Sequence, residues 1–179
     1  MKRYIVTVLI VALTSVVALD AQEATQDKSG MSDCPMMKDH TAQVNERGDK
    51  AMGFSHEKTT HHFRLLADGG AIEVSANDNA DDRSREEVRG HLGHIAKLFA
   101  EGNFAIPMLV HAQKPPGSDV MQERKVDIQY GYEETPTGGR VRITTSNQQA
   151  LKAVHEFLRF QIEDHQTGDS LEAAVKEEE

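Results

Sequence analysis

The chain repeats one pattern of strand, turn, strand and helix, and this repeat constrains the fold more than any other feature. The segment GGAIEVSAND, residues 69–78, leads into a first helical stretch, and GGRVRITTSN, residues 138–147, leads into a second. In each half, apolar and polar residues alternate along the strands, which is the period of a half-buried β-strand. The economical packing is one four-stranded antiparallel sheet with both helices on its apolar face. The sequence therefore predicts an α+β fold built from a duplicated β-hairpin–helix unit.

The two ends of the chain differ in composition from the repeat. Residues 1–21 combine a basic start with an apolar run, the pattern of a cleaved secretory signal peptide. Residues 22–53 are polar without apolar periodicity, which predicts a flexible arm. Residues 54–168 are then a single domain, and residues 169–179 an acidic tail in solvent. We expect a periplasmic or secreted protein with no stable membrane insertion after the signal is removed.

Charge and cysteine content limit the classes of partner. The chain has 20 Lys and Arg against 29 Asp and Glu, a formal net charge of −9 at pH 7. This charge disfavours nucleic acid and anionic membranes as partners and is compatible with cations. Cys34 is the only cysteine, so no disulfide can form within one chain. Its thiol is free, bound to a metal, or paired with another chain.

Two adjacent histidines lie in the first strand, in the segment TTHHF at residues 59–63. They point to opposite faces of the sheet because side chains alternate along a strand. His61 shares its parity with Phe63, so we place both on the apolar face. His62 shares its parity with Arg64 and is expected in solvent. The inward histidine is therefore His61.

Each hairpin is followed by a helix. The first is predicted over about residues 82–101, with Ser84 in a capping box at its start. The second is predicted to begin at a capping box formed by Ser146 and to end near residue 165. Residues 163–165 at its end are expected to fray.

Four histidines are predicted to approach one another under the first helix. His91 lies about 50° from the centre of the apolar stripe of that helix, and His94 lies about 110° from it. His61 comes from the sheet face that this helix covers. His111 follows the apolar part of residues 103–117, which we expect to be an extended crossing. Neutral imidazoles are good ligands for copper and zinc, so this cluster is a candidate metal site.

Soft sulfur donors lie near the histidines in the sequence. Met108 precedes His111 and would add a thioether to the histidine cluster. Cys34, Met36 and Met37 lie in the predicted arm, where thiolate and thioether groups suit the capture and transfer of Cu(I). The predicted metal donors are thus His61, His91, His94, His111, Met108, Cys34, Met36 and Met37.

Two other interpretations of these residues stay open. With one coordination position unfilled, the histidine cluster would be the centre of a metal-dependent enzyme, hydrolytic or oxidative. Alternatively, the histidines are hydrogen-bonded core residues of a non-catalytic module that dimerises through its exposed sheet face. The sequence contains no nucleophile elbow, P-loop or dinucleotide fingerprint, and it lacks the CxxCH motif of covalent c-type haem.

Five segments together resemble a family of small exported bacterial proteins. They are KTTHHF at 58–63, HLGHIAKLF at 91–99, FAIPMLVHAQKPPG at 104–117, GGRVRITTSN at 138–147 and FLRFQIEDHQTGD at 157–169. Similar chains carry the name aspartate carbamoyltransferase, but this sequence lacks the STRT-type carbamoyl-phosphate loop of that enzyme. Relatives often have an arm containing Met and His, which resembles MSDCPMMKDH at 31–40. The resemblance points to the histidines His61, His62, His91, His94 and His111, and it brings no activity with it.

Overall fold

The two repeats form the two halves of one antiparallel sheet, as predicted. The structure, a computed structural model, describes residues 35–174. Its strands are β1 (Thr59–Leu66), β2 (Gly69–Ala76), β3 (Ile128–Thr135) and β4 (Gly138–Thr145), in the order β1-β2-β4-β3. Its helices are α1 (Pro35–Met52), α2 (Asp82–Ala100), α3 (Ala105–His111), α4 (Ser118–Glu123) and α5 (Gln148–His165). None of the helices within this described part is both long enough and apolar enough to cross a bilayer.

A pseudo-twofold axis passes between the central strands β2 and β4. Gly70 pairs with Ile143, and Gly139 pairs with Val74. Because the repeat aligns Gly70 with Gly139 and Val74 with Ile143, each pair is the image of the other. The duplicated sequence therefore produces two structurally equivalent halves, related by an approximate rotation about the middle of the sheet.

Each helix packs mainly on the hairpin of the other half. Helix α2 lies over β3 and β4, and α5 lies over β1 and β2. Arg89 of α2 donates to the carbonyl oxygens of Thr135 and Gly138 beside the β3–β4 turn, at 2.8 and 3.1 Å. His155 of α5 donates to the two equivalent carbonyl oxygens beside the β1–β2 turn, at 2.9 and 3.0 Å. These matching bonds align α2 with α5, so that Arg89 corresponds to His155.

Glycines let both helices approach the central strands. A Cβ atom on Gly70 would lie 2.1 Å from Cδ1 of Leu158 on α5 and 2.6 Å from the carbonyl oxygen of Arg64. A Cβ atom on the equivalent Gly139 would lie 3.2 Å from Cδ1 of Leu92 on α2. The two leucines occupy corresponding positions, but α5 lies closer to the sheet. A side chain at Gly70 would therefore displace α5 or the strand.

The segments outside the repeat differ from the sequence prediction. Residues 35–52, predicted as part of a flexible arm, form helix α1, which packs on α3 and α5 and buries Val44 completely. Part of the predicted extended crossing forms the short helix α3. Helix α1 is polar on average, and Val44 is its one buried apolar residue in the described part of the chain. Because α1 lacks a wide apolar stripe, the spacing of apolar residues in the sequence did not indicate a helix here.

The N-terminal caps of both long helices also differ from those predicted. Asp81 caps α2, where its carboxylate accepts from the backbone N–H of Ser84 at 3.0 Å. Asn147 caps α5, where its side chain accepts from the backbone N–H of Gln149 at 2.9 Å. Ser84 therefore lies inside the first turn, and Ser146 lies before the cap. In both cases a nearby Asp or Asn side chain, which is as favourable at this position as Ser, takes the capping role.

The beginning of the predicted acidic tail is docked on the sheet. Asp169 accepts from Nδ1 of His62, from the backbone N–H of Phe63 and from the guanidinium of Arg64, each at 2.9 Å. The backbone N–H of Ala174 donates to a carbonyl oxygen of β1 at 2.9 Å. These bonds hold the chain that leaves α5 against the edge strand, so the end of α5 is covered. Asp169 is thus docked, whereas residues 170–172 are exposed, as expected of a tail in solvent.

We predict that Gly70→Ala destabilises the protein more than Gly139→Ala does. In the first case the added methyl group overlaps a helix leucine and a backbone oxygen, at 2.1 and 2.6 Å, whereas in the second its closest contacts, with Tyr132 and Leu92, are at 3.1 and 3.2 Å. Overpacking of this kind costs about 1–3 kcal/mol, and we expect Gly70→Ala at the upper end of that range. Urea unfolding of both variants measures the difference. An equal loss in the two variants would contradict the closer approach of α5.

A histidine-lined cavity as the candidate functional site

A cavity of about 70 Å³ lies between the inner face of the sheet and helices α2, α3 and α5. Most of its lining is apolar, with Phe63, Ile72, Val74, Leu92, Ile95 and Val110 among the contributing residues. The polar side chains in the lining are His61, His91, His111, Gln161 and His165. An apolar cavity with a few converging polar groups is the usual form of a small-ligand or metal site. We therefore take this cavity as the candidate functional site.

His61 and His165 form a stacked pair at the cavity wall. Their ring planes are inclined by 2° and their centroids are 5.9 Å apart. His165 also meets the edge of the His111 ring, with centroids 4.9 Å apart. His61 faces inward, as strand parity predicts. The expectation that His165 frays is wrong, because α5 continues through His165 and its last turn packs against α1 and β1.

His91 reaches the same cavity from α2, as its helical angle predicts. Its ring packs edge-on against Phe54, with centroids 5.5 Å apart. Phe54 also stacks on His61, with centroids 6.1 Å apart. One buried phenylalanine thus contacts both histidines and holds the sheet histidine and the helix histidine at one end of the cavity.

Three of the cavity histidines have ring nitrogens that form no hydrogen bond within the described part of the chain. Within residues 35–174, no group forms a hydrogen bond with a ring nitrogen of His61, His91 or His165. Burial lowers the pKa of His61 and of His91 to about 4, and that of His165 to about 3, and repulsion from neighbouring histidines adds to the effect. All three imidazoles are therefore neutral near pH 7 and keep a lone pair available for a ligand.

His111 has a hydrogen-bond network of its own. Its Nδ1 donates to Asp164 at 2.5 Å, and its Nε2 forms a buried hydrogen bond of 2.9 Å with the side-chain amide of Gln161. Asp164 also accepts from Nε2 of His40 on α1 at 2.8 Å. Burial alone would raise the pKa of Asp164, but the bonds from His111 and His40 lower it to about 2. Asp164, which was expected to fray, instead joins α1, α3 and α5 with one carboxylate.

Gln161 leaves a donor unpaired beside the cavity. Its side chain is 4% exposed, and its Nε2 atom has no partner among the described residues. The Tyr130 hydroxyl is the other buried side-chain group of the described residues in this state. An unpaired buried amide costs about 1–3 kcal/mol, which a structural role alone does not repay. Gln161 is therefore a functional candidate that the sequence analysis did not consider.

For each of the three unpaired histidines, the equivalent position in the other half of the repeat holds an aromatic residue. In the aligned halves, His61 corresponds to Tyr130, His91 to Phe157 and His165 to Phe99. Phe99 packs on Tyr130 and on Phe157 with ring centroids 5.8 and 5.7 Å apart, so aromatic rings fill these positions in the core. The fold is thus satisfied by phenylalanine at two of these positions and, at the third, by a tyrosine whose buried hydroxyl has no hydrogen-bond partner among the described residues. Packing does not explain why the other half has imidazoles.

The same comparison applies to the two other polar residues near the end of α5. Gln161 corresponds to Ile95 of α2, and Asp164 corresponds to Leu98. Ile95 is buried in the core, so an aliphatic side chain satisfies the equivalent position. At the five compared positions one half therefore has five polar side chains, and the other has a single polar group, the Tyr130 hydroxyl. That asymmetry, within one duplicated scaffold, marks the cavity as the specialised part of the molecule.

Several residues of the predicted metal site lie elsewhere. His94 is exposed on α2, and Met108 is 40% exposed on α3 in the wall of a different surface depression. Met108 turns away because its segment is helical, whereas the prediction assumed an extended chain. Met36 is 79% exposed at the start of α1. Cys34 and the side chain of Met37 lie outside the described residues.

The cavity histidines do not form a preassembled coordination sphere. No group of three or more His, Cys, Asp or Glu side chains in the described part of the chain is arranged to hold a metal ion. Comparison with known proteins adds no further constraint, since no protein-family model, curated protein or solved structure matches the chain. The chemistry of the cavity thus has to be inferred from its own geometry.

We predict that the free energy of unfolding falls as the pH is lowered from about 6.5 towards 4. The unfolded chain binds protons at the ordinary histidine pKa of about 6.5, whereas the folded chain resists them at His61, His91 and His165. Each histidine contributes a slope of up to about 1.4 kcal/mol per pH unit within this window. Urea unfolding at a series of pH values measures the slope.

The pseudo-equivalent residues supply the control for this experiment. The triple variant His61→Tyr, His91→Phe and His165→Phe should show a much flatter dependence over the same pH range. His94→Gln, which changes an exposed histidine, should retain the dependence of the original protein. An equally steep loss in the triple variant would assign the effect to other groups.

Proposed function

We propose that the protein is an exported metal-binding protein that holds a copper or zinc ion in the histidine-lined cavity. The proposal rests on one observation. Three neutral imidazoles, of His61, His91 and His165, share a cavity with unpaired ring nitrogens, whereas the equivalent positions of the other half hold packed aromatic rings. Neutral imidazole is a preferred ligand of both metals. The negative net charge of −9 is consistent with a cation as the ligand.

The spacing of the rings supports this proposal. A zinc–nitrogen bond is about 2.0–2.1 Å long, so two imidazoles that share a tetrahedral ion have ring centroids about 5 Å apart. The ring of His165 lies 4.9 Å from that of His111 and 5.9 Å from that of His61. These separations are already near the required value. Metal binding would require side-chain rotation within the cavity.

His111 would complete the site in a different way. Its Nδ1 is held by Asp164, an arrangement that is common for metal-bound histidines because the carboxylate orients the ring. Its Nε2 is engaged by Gln161 and becomes available when that amide rotates. We therefore propose His61, His91 and His165 as the principal ligands and His111 as the fourth. His94 and Met108, which point away from the cavity, are not in this set.

We extend the proposal to the soft donors that precede the folded domain. Cys34, Met36 and Met37 would capture Cu(I) or transfer it to the cavity, since thiolate and thioether groups prefer this ion. Support comes from α1, which begins at Pro35 and is joined through His40 to Asp164 beside the cavity. Cys34 directly precedes this docked helix, and Met36 and Met37 lie in its first turn.

A second candidate is a non-catalytic module in which the histidines have only a structural role. The absence of a preassembled coordination sphere in residues 35–174 favours it. This alternative gives no reason for the unpaired ring nitrogens or for the aromatic residues at the equivalent positions. Measurement of bound metal separates the two candidates directly.

We predict that the purified protein binds one Cu(II) or Zn(II) ion per chain in the cavity. In the double variant His61→Tyr/His165→Phe, the affinity for the metal ion should fall by at least about 100-fold, because two ligands are lost. The fold should be retained, because the two new side chains are those found at the equivalent positions of the other half. Isothermal titration calorimetry and elemental analysis give affinity and stoichiometry. His94→Gln and Met108→Leu are matched controls and should bind as the original protein does. Unchanged binding in the double variant would overturn the ligand assignment.

We predict a separate effect of the soft donors on Cu(I). The triple variant Cys34→Ser, Met36→Leu and Met37→Leu should acquire Cu(I) from a coloured Cu(I) chelator several-fold more slowly, as followed by loss of the chelator absorbance. Its affinity for Zn(II) in the cavity should stay the same. Equal rates of Cu(I) acquisition in the triple variant and the original protein would remove these residues from the proposal.

A further inference from the structure

The two edges of the sheet differ in how they are covered. On the edge strand β1, the docked chain that follows α5 binds the backbone N–H of Phe63 through the carboxylate of Asp169. The repeat aligns Phe63 with Tyr132 of β3, so the backbone groups of Tyr132 point outward at the opposite edge. Within the described part of the chain, no other group bonds the backbone N–H or carbonyl oxygen of Tyr132, or those of Tyr130, which point the same way. Strand β3 is therefore an open edge.

The open edge lacks the features that usually prevent a strand from pairing with another chain. An edge strand is commonly protected by a β-bulge, a proline or a lysine, or by a segment that covers it. Residues 128–135 contain neither proline nor lysine, and they pair with β4 in a regular register without a bulge. The carboxylates of Glu133 and Glu134 are engaged within the chain, at 3.6 Å from Arg140 and 3.4 Å from Arg89. The edge is thus available to a further strand.

Gly131, in the middle of β3, is not required by the fold of a single chain. It is exposed, its backbone is not in the left-handed region, and a Cβ atom built on it would meet nothing within 4 Å. A glycine inside a strand weakens that strand, and it often marks a place where another backbone approaches closely. The position of Gly131 therefore favours a second strand against this edge.

We infer that two copies of the chain dimerise by antiparallel pairing of their β3 strands, centred on Gly131. This inference does not depend on metal binding. The residues on either side of Gly131 are arranged almost symmetrically, as a twofold interface requires. Tyr130 would pair with Tyr132 of the second copy, and their outward-facing backbone groups would bond each other. Gln129 would face Glu133, so no like charges are directly opposed.

The same register brings exposed apolar residues together at both ends of the interface. Val126, which precedes β3, is 88% exposed, the highest value among the large hydrophobic residues in the described part of the chain. Pro136, which follows β3, is also exposed. Because the two residues are equally far from Gly131 in the sequence, Val126 of each copy would lie beside Pro136 of the other. This contact would remove apolar surface from water, which favours association.

Helix α2 leaves room for the second copy. It lies over β3 and β4, and neighbouring strands are about 4.8 Å apart, so the two copies of α2 would lie about 10 Å from each other, near the usual distance between packed helices. Arg89 marks the side of α2 that faces the edge, because it bonds the carbonyl oxygen of Thr135. At about 100° per residue, Gly93 and Ala100 lie within about 40° of Arg89. Small residues therefore lie where the two helices would meet.

The outer face of the sheet is less suited to this interface than the edge. Its charged side chains already pair with one another. Glu73 accepts from Arg140 at 2.8 Å and lies 3.8 Å from Arg64, and Asp68 accepts from Arg142 at 2.5 Å. An interface on this face would take these ion pairs out of water, which is costly. The edge offers backbone groups that gain partners instead.

Opposite charges at residue 131 test the proposed pairing. In this register, residue 131 faces its own equivalent at a Cα separation of about 4.5 Å. In Gly131→Lys, and separately in Gly131→Glu, like charges would oppose each other, and the dissociation constant of the dimer should rise by about 10-fold or more. An equimolar mixture of the two variants should recover dimers, because opposite charges then meet. Analytical ultracentrifugation of the purified protein over a range of concentrations measures the dissociation constant.

Two further variants complete the experiment, with circular dichroism as the check that each variant folds. Thr60→Lys adds the same charge to an exposed position on the covered strand β1 and should leave the dimer intact. Glu134→Pro keeps Gly131 and removes an outward-facing N–H group of β3, so it should also weaken the dimer. This variant gives an answer if a change at Gly131 prevents folding.

Three results would overturn the inference. The first is a protein that stays monomeric at high micromolar concentrations. The second is a dimer that the Gly131 and Glu134 variants leave intact, because its interface then lies elsewhere. The third is an equimolar mixture of Gly131→Lys and Gly131→Glu that recovers no dimers, because residue 131 then does not face its own equivalent.

Discussion

The pairing of β2 with β4 is the interaction on which the rest of the structure depends. Ile72 faces Val141 at the centre of this pairing, and both residues are buried. Because the two strands are antiparallel copies of each other, they place the hairpins on either side of one axis. Each helix then crosses to the opposite hairpin, where Arg89 or His155 bonds the carbonyl oxygens beside its turn. The sheet, the core and the position of the cavity all follow from this arrangement.

A duplicated scaffold provides its own comparison between a packed half and a specialised half. Phe99 fills the core on one side of the axis, and the corresponding His165 borders a cavity on the other. Both residues end a long amphipathic helix, and both lie over the sheet. A histidine that the core required for packing would be expected in both halves. Its presence in one half only is the observation that supports our proposal of a ligand in the cavity.

Local sequence patterns were informative where the backbone has a simple period. Parity along β1 was sufficient to place His61 inside, and the helical angle brought His91 to the same region. The pattern was less informative at His94, which lies one turn further along α2 and is exposed. It was misleading at Met108, because seven residues of an apolar stretch form helix α3 and turn this side chain outward. A short apolar stretch has no periodicity that separates helix from extended chain.

The sequence by itself determined the repeat, the antiparallel sheet and the inward histidine, because strand alternation and helical periodicity are properties of the local backbone. The tertiary structure alone decided that His165, Gln161 and Asp164 belong to the site. These residues end a helix, where a local view predicts fraying. They are ordered by contacts with α1, α3 and β1, which lie far away in the sequence. Such long-range contacts leave no local pattern, so only the folded chain reveals them.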